Sequence, residues 1–159
     1  MQIRIICIGK INEKELTILI DNYLKKIKTF NKISIIELEE KTFSKENSDT
    51  INKSLKQEAI LIKPYLENSY NIALCIEAQL ICSKVFASKL ENIFSQSNAY
   101  KYLNFIIGSS HGLDPSIKHL CDLKISLSEL TFPHQLVRLI LLEQIYRCFS
   151  IINNTKYHK

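Results

Sequence analysis

Short apolar runs alternate along the chain with longer segments in which apolar residues recur at helical spacing. The short runs, several of them rich in β-branched residues, predict five strands at residues 3–8, 33–38, 71–76, 103–107 and 123–127. Helical spacing predicts one helix over residues 12–28 and a last helix from Pro133 to about Ile151. Strands separated by helices of this length indicate βαβ units. The sequence therefore predicts an α/β fold with a mainly parallel sheet and helices on both faces.

Polar residues and prolines mark where three further helices begin or end. Ser48 or Asp49 is expected to cap a helix that stops before Pro64, because a proline disfavours helical backbone in the residue before it. Ser83 is expected to cap the next helix. Asp114 precedes a proline, and this pair predicts a short helix, since Asp caps helices well and proline fits their first position.

Apolar side chains surround most of the circumference of the last helix, which must then be buried on more than one side. In so small a chain, packing against a second copy is the simplest way to bury the far side of this helix, so we expect a homodimer. Glu143, Arg147 and Ser150 form one narrow polar stripe, flanked by Gln135. Glu143 and Arg147 are four residues apart and can pair along the helix. The pattern leaves open whether this pair is structural or functional.

The chain has 159 residues, which suits one domain over residues 1–159 with a tail at 153–159. No apolar run approaches the roughly 20 residues of a transmembrane helix, and the first ten residues lack the features of a signal peptide. We therefore expect a cytoplasmic protein. The net charge of +5 favours a polyanionic partner without requiring one. Five cysteines without C-x-x-C spacing indicate reduced thiols, and no clustered ligand set predicts a metal.

Two loops carry the candidate chemistry. Residues 108–112, with the sequence GSSHG, have a glycine at each end, which lets the backbone approach a ligand and offer amide donors. They lack the G-x-G-x-x-G spacing, so a dinucleotide-binding fold is disfavoured. Residues 125–134, with the sequence ISLSELTFPH, join a strand end to a helix start. Because α/β proteins bind ligands at the carboxyl ends of their strands, both loops are expected to form one pocket.

Two other features remain ambiguous from the residues alone. His134 is equally suited to act as a base or RNA contact and to satisfy backbone groups at the helix start. In the tail, Tyr157 can stack on a base while Lys156 and Lys159 contact phosphates. Terminal segments of this kind are also commonly disordered.

Four segments resemble a known family. They read FIIGSSHGL at 105–113, LSELTFPHQLVR at 127–138, LEQIYR at 142–147 and YHK at 157–159. Together with the opening strand that ends in Gly9-Lys10, they are similar to the RlmH family of the SPOUT class, bacterial methyltransferases that act on a pseudouridine of large-subunit ribosomal RNA. The resemblance spans the whole chain. Its most specific part is the combination of T-F-P-H, E-Q-x-Y-R and the terminal Y-H-K.

The resemblance implies an α/β fold whose carboxyl-terminal third forms a trefoil knot, an exception to the usual unknotted topology. It implies S-adenosylmethionine as cofactor, held mostly by backbone. The matching positions are Leu74, Gly108, Leu127, Ser128, Glu129, Leu130, Thr131 and Phe132. The implied reaction transfers the methyl group to N3 of a pseudouridine in 23S rRNA, with the assembled ribosome as substrate and no metal.

The family also works as a homodimer in which the tail of one subunit reaches the cofactor site of the other. N3 must lose its proton, so the site needs a base or a cation that stabilises the anion. Candidates for these roles and for substrate contact are His134, Arg138, Glu143, Arg147, Tyr157 and His158. Which of them is the base remains open.

Two departures from the family pattern bear on the cofactor. The family usually has Gly-Gly where this chain has Gly108-Ser109, and a glycine near Ala78. Ser109 is therefore expected to narrow the cofactor loop. Alternative functions are another knotted methyltransferase, such as a tRNA ribose methylase, and a catalytically silent ribosome-binding factor. A Rossmann dehydrogenase is a more distant third.

Overall fold

The computed structural model describes residues 1–41, 43, 47–96, 98–155 and 157. Within them, five strands alternate with five α-helices, as the apolar pattern predicts. The strands are β1 (Gln2–Ile8), β2 (Ile33–Leu38), β3 (Ser69–Leu74), β4 (Tyr102–Ile107) and β5 (Leu123–Ile125). The helices are α1 (Lys14–Lys28), α2 (Ser48–Ile62), α3 (Ser83–Ser95), α4 (Pro115–His119) and α5 (His134–Ile152), and one 3-10 turn, Lys63–Tyr65, follows α2.

The five strands form one parallel sheet in the order β2-β1-β4-β3-β5. Ile5 of β1 is paired with Ile35 on one side and Phe105 on the other. The predicted α/β class with a parallel sheet is confirmed. The strand order, which periodicity does not contain, places the carboxyl ends of β4, β3 and β5 side by side.

Side chains alternate between the two faces of the sheet, and a separate core packs against each face. Ile5 and Phe105 are fully buried in the core shared with α1, α3 and α5. Ile6 and Ile106 are fully buried in a second core with α2 and α4, which includes Ile117. The prediction of helices on both faces is confirmed.

Helix α5 packs against α1 and α3 of its own chain. Leu141, Leu142 and Ile145 are fully buried there, whereas Leu139 and Ile140 are only half-buried. The chain therefore covers one broad side of α5 and leaves part of its apolar circumference accessible. That a second subunit packs against this accessible part of α5 remains a prediction.

Two predicted helix caps are wrong by one residue. Asn47, rather than Ser48 or Asp49, caps α2, because its side chain accepts a hydrogen bond from the Thr50 amide while the Thr50 hydroxyl accepts one from the Asn47 amide. The backbone amides of Asn47 and Thr50 thus both have a hydrogen-bond partner. Cys82 occupies the cap position of α3, and the Ser83 hydroxyl instead donates to Gln144 of α5 at 2.7 Å. The Asp114 cap of α4 is confirmed by its hydrogen bond with the Ser116 amide.

Strands β3 and β5 end before residues 76 and 127, where the apolar pattern placed their ends. The chain turns after β3, with the Ala78 amide bonded to the Cys75 carbonyl oxygen. After β5, the Ser126 amide bonds to the Gln79 carbonyl oxygen outside the strand ladder. Apolar residues continue beyond both strands because they line a cavity there, so hydrophobicity alone overestimates the strand length. Among the described residues, no helix is both long enough and apolar enough to cross a bilayer.

Candidate active site

A cavity of about 330 Å³ opens at the carboxyl ends of β3, β4 and β5. Three chain segments line it, at residues 74–77, 107–113 and 125–132, with Glu129 not among the lining residues. Lys118 of α4 and the first turns of α5 complete the wall. The two loops expected to form one pocket therefore do so, joined by a third loop after β3.

The glycine loop after β4 is closed on itself. The Gly112 amide donates to the Ser109 carbonyl oxygen at 3.0 Å, and Gly112 has a φ of +83° that favours glycine. A Cβ atom at Gly108 would lie 2.1 Å from the Gly112 carbonyl oxygen. Only glycine at 108 permits this turn, and residues 107–113 line one side of the cavity.

The loop after β5 is ordered by its own hydroxyl groups. The Ser126 hydroxyl donates to the Ser128 carbonyl oxygen at 2.9 Å, and the Ser128 hydroxyl accepts from the Leu130 amide at 2.9 Å. Ser126 is almost fully buried, whereas the Leu130 side chain is 70% exposed at the mouth of the cavity. The hydroxyls found in the sequence thus bond within the loop and hold its shape beside the cavity.

An ion pair stands at the rim. Lys118 Nζ donates to Glu77 Oε1, and this hydrogen bond lowers the pKa of the Glu77 carboxyl. The pair links the loop after β3 to α4. It gives the otherwise largely uncharged wall a side chain of each sign.

Arg138 and His134 occupy neighbouring turns of α5 but have different surroundings. His134 lines the cavity, and its Nε2 lies near the bend after β1, 3.5 Å from where a Cβ of Gly9 would stand. Arg138 is fully buried, and its guanidinium donates to the carbonyl oxygens of Ile8 and Gly9 at 2.7 and 2.9 Å. It also pairs with Glu37 of β2 at 2.9 Å. In this chain Arg138 ties α5 to the sheet.

A second group of polar side chains lies farther along α5. Glu143 Oε1 accepts from Arg147 Nη2 at 2.6 Å and from the Tyr157 hydroxyl at 3.2 Å. The Tyr157 ring packs edge-on against Tyr146 and lies 5.1 Å from the Arg147 guanidinium. Hydrogen bonding to Tyr23 raises the pKa of Tyr157. We call Glu143, Tyr146, Arg147 and Tyr157 the tail cluster.

The tail cluster and the cavity are separate within one chain. No member of the cluster lines the cavity, and Arg147 stands 13 residues beyond His134 on α5, a rise of about 20 Å. No group of three His, Cys, Asp or Glu side chains in the described part of the chain is arranged to hold a metal ion.

Comparison with known proteins identifies the family. The family described as "Predicted SPOUT methyltransferase" matches residues 1–158. Two relatives share the name ribosomal RNA large subunit methyltransferase H, and each alignment covers 100% of both chains. The protein from Malacoplasma penetrans is 52% identical over 160 residues, and that from Fusobacterium nucleatum is 44% identical over 161 residues. The chain belongs to the RlmH family of SPOUT methyltransferases.

Solved structures support the fold. A probable methyltransferase from Bordetella pertussis aligns with a TM-score of 0.57 and 11% identity, covering 92% of this chain and 95% of that one. The tRNA (m1G37) methyltransferase from Aquifex aeolicus aligns with a TM-score of 0.52 and 12% identity, covering 92% of this chain and 70% of that one. At such identities the likeness shows a shared SPOUT fold only. The trefoil knot within it remains a prediction for this chain.

The RlmH resemblance named eight positions for the cofactor, and the structure brings seven of them to the cavity. These are Leu74, Gly108, Leu127, Ser128, Leu130, Thr131 and Phe132. Of the candidates for catalysis, His134 reaches the cavity, Arg138 is buried beside it, and Glu143, Arg147 and Tyr157 form the tail cluster. His158 lies outside the described residues. The roles of all these residues remain predictions.

Sequence reasoning missed two features of this RlmH-family site. The Glu77–Lys118 pair joins residues 41 positions apart, and no spacing rule relates them. Glu58 of α2 is buried behind the glycine loop and bonded to Ser109. A signal for Glu58 was present, because it occupies a core-facing position of α2 beside Ala59 and Ile62, where an acidic residue is unexpected.

Proposed function

We propose that this RlmH-family enzyme transfers a methyl group from S-adenosylmethionine to N3 of a pseudouridine in large-subunit ribosomal RNA, and that it acts on the assembled ribosome. The observation that carries the proposal is the cavity at the ends of β3, β4 and β5, which is lined by seven of the eight positions that the RlmH resemblance implies for the cofactor. The names of the full-length relatives supply the class of RNA. The net charge of +5 suits a polyanionic substrate, and we expect the enzyme to work in the cytoplasm, where ribosomes are.

The cavity fits the proposed cofactor. Its volume of about 330 Å³ falls within the usual range for small-ligand sites, about 300–1,000 Å³. The turn at Gly108 has no room even for a Cβ atom, which would lie 2.1 Å from the Gly112 carbonyl oxygen, and we expect this closely folded loop to offer backbone amides to the cofactor. Leu74, Leu127 and Phe132 offer apolar surface for an adenine ring. When bound, S-adenosylmethionine supplies an electrophilic methyl group on a sulfonium centre.

The chain supplies positioning and charge around the reacting atoms. His134 brings an imidazole to the cavity wall, where it can accept a proton or contact the RNA. In the tail cluster Arg147 is paired with Glu143. The Arg147 cation can stabilise the anion that forms when N3 loses its proton. Because Arg147 lies about 20 Å along α5 from His134, one subunit does not bring these two groups together.

A homodimer resolves this separation. The half-buried apolar side chains on α5 provide an interface, and the tail cluster lies on the same helix. In a two-fold dimer the same patch on both subunits meets itself, so each tail cluster can approach the partner's cavity. We therefore propose that each active site combines the cavity of one subunit with the tail cluster of the other.

The deciding experiment incubates the purified protein with methyl-labelled S-adenosylmethionine and ribosomes that lack this modification, then maps the label by mass spectrometry of RNA fragments. The proposal expects label on one pseudouridine base of the large-subunit RNA, and much less on naked rRNA. Equal labelling of naked rRNA would overturn the ribosome as substrate. Label on tRNA ribose would indicate the other class of knotted methyltransferase, and ribosome binding without cofactor binding would indicate a silent binding factor.

A further inference from the structure

The buried carboxyl group of Glu58 lies directly behind the cofactor loop. Glu58 projects from α2, where it is only 2% exposed, and its Oε2 accepts a hydrogen bond from the Ser109 hydroxyl at 2.9 Å. Ser109 is itself 8% exposed and belongs to the loop that lines the cavity. The contact joins residues 51 positions apart, so it ties the loop after β4 to a helix on the second face of the sheet.

This arrangement costs stability that an apolar residue would not cost. Glu58 Oε1 has no hydrogen-bond partner among the residues that the structure describes, although a backbone hydrogen bond at Lys41 also acts on the carboxyl group and opposes the rise in pKa that burial causes. Burying an incompletely bonded carboxyl group is unfavourable, and well-packed apolar residues often replace such groups without loss of stability. Stability alone therefore does not explain a buried acidic residue on the core side of α2, and its contact with the cofactor loop indicates another role.

The direction of the Ser109 side chain indicates that role. Ser109 was expected to narrow the cofactor loop, yet its hydroxyl is directed away from the cavity to Glu58. The backbone of the same residue accepts from Gly112 and pairs with it across the turn. The hydrogen bond to Glu58 restrains Ser109, and Ser109 is bonded to Gly112 across the turn. Restraining Ser109 therefore also restrains the turn at Gly108.

We propose that Glu58 is a positioning residue for the cofactor loop, acting through Ser109. It holds residues 108–112 in their observed turn, on the cavity wall where we propose that the cofactor binds. This inference rests on the proposed use of S-adenosylmethionine. It concerns how the loop is held and not which RNA is methylated.

A double-mutant cycle tests the proposal, with S-adenosylmethionine affinity measured by isothermal titration calorimetry. We expect Glu58→Leu and Ser109→Ala each to weaken binding about fivefold, the effect of one lost hydrogen bond. The double variant should bind no more weakly than either single variant, because both remove the same contact. Glu58→Gln, whose amide oxygen still accepts from Ser109, is the matched control and should bind within about twofold of the wild type.

Thermal unfolding of the cofactor-free variants separates positioning from a structural role. We expect Glu58→Leu to unfold at or above the wild-type temperature while its affinity falls. A lower unfolding temperature with unchanged affinity would overturn the proposal, and so would additive effects in the cycle.

Amide hydrogen exchange at residues 109–113 keeps this test independent of the proposed function. Exchange should be faster in Glu58→Leu than in the wild type without any cofactor present. If the wild-type protein does not bind S-adenosylmethionine, the proposed function fails, and this comparison still decides whether Glu58 holds the loop. Equal exchange in the two proteins would overturn the positioning role.

Discussion

The guanidinium of Arg138 lies 2.9 Å from the carboxylate of Glu37, joining the start of α5 to the end of β2. The same guanidinium donates to two carbonyl oxygens where β1 ends, so one side chain fastens α5 to two strands. The consequence reaches the site, because His134 is one helical turn before Arg138 and lines the cavity. Arg138 thereby sets where the first turn of α5 stands relative to the loops.

Replacing Arg138 with Met should destabilise the protein by about 3 kcal/mol. Removing one partner of a buried ion pair typically costs about 3–5 kcal/mol of stability. We expect the lower value here because the Glu37 side chain is 32% exposed, so water partly solvates its unpaired charge. Arg147→Met on the same helix is the matched control and should cost under about 1 kcal/mol, because its pair with Glu143 is partly exposed. Urea unfolding measures both values. Similar losses in the two variants would contradict the anchoring role of Arg138.

Two glycines in one loop provide a second comparison. Gly108→Ala should abolish measurable S-adenosylmethionine binding, because the new Cβ would lie 2.1 Å from the backbone oxygen of Gly112 and the turn must open. Gly112→Ala meets nothing within 4 Å and should cost only about 1–2 kcal/mol of stability for its left-handed backbone. Calorimetric titration should find weakened binding in the second variant and none in the first. Intact binding by Gly108→Ala would show that this turn does not hold the cofactor.

The contrast between these residues shows what the sequence can and cannot predict. The strands and helices follow from the local spacing of apolar residues, and the Gly108 turn follows from its motif. Arg138 was a candidate for substrate contact, but its partners lie 101 to 130 residues away. Such pairing depends on strand order, which periodicity does not contain. The Ser109–Glu58 contact escaped prediction for the same reason, although an acidic residue on the buried side of α2 was a visible anomaly.

Burial raises the pKa of Glu58, against the smaller opposing effect of its hydrogen bond from Ser109. A raised pKa in the folded state means that folding takes up a proton, so this group stabilises the protein at low pH. That contribution is lost as pH rises through the folded-state pKa. The unfolding temperature of the wild type should therefore fall relative to Glu58→Gln as the pH rises above about 4, the usual pKa of a glutamate side chain. Both proteins retain Glu40 and His111, which also act on Glu58, so a constant difference would contradict the shift.

Thiol reactivity should follow the burial of the five cysteines. Cys82 is exposed, whereas Cys7 and Cys148 are buried, and burial raises the pKa of both to about 12. At pH 8 a maleimide reagent should modify Cys82 first and leave Cys7 and Cys148 unmodified until the protein unfolds. Mass spectrometry of labelled peptides identifies the sites, and Cys82→Ser should remove the fast phase. Rapid labelling of Cys7 would show that the end of β1 opens.

For the proposed homodimer, mixed dimers decide whether the tail cluster acts on its own cavity or on the partner's. Gly108→Ala removes the cofactor turn, and Arg147→Met removes the cation of the tail cluster, so each homodimer should be inactive on ribosomes. A heterodimer of the two variants, purified with two affinity tags, contains one cavity with an intact loop and one intact tail cluster, on different subunits. If the cluster acts across the dimer, these parts form one complete site, and activity should return to about half the wild-type value per dimer. If the cluster acts within its own subunit, no complete site exists and the heterodimer stays inactive. S-adenosylmethionine titration of the Arg147→Met homodimer is the control, because full binding there shows that its defect lies outside the cavity.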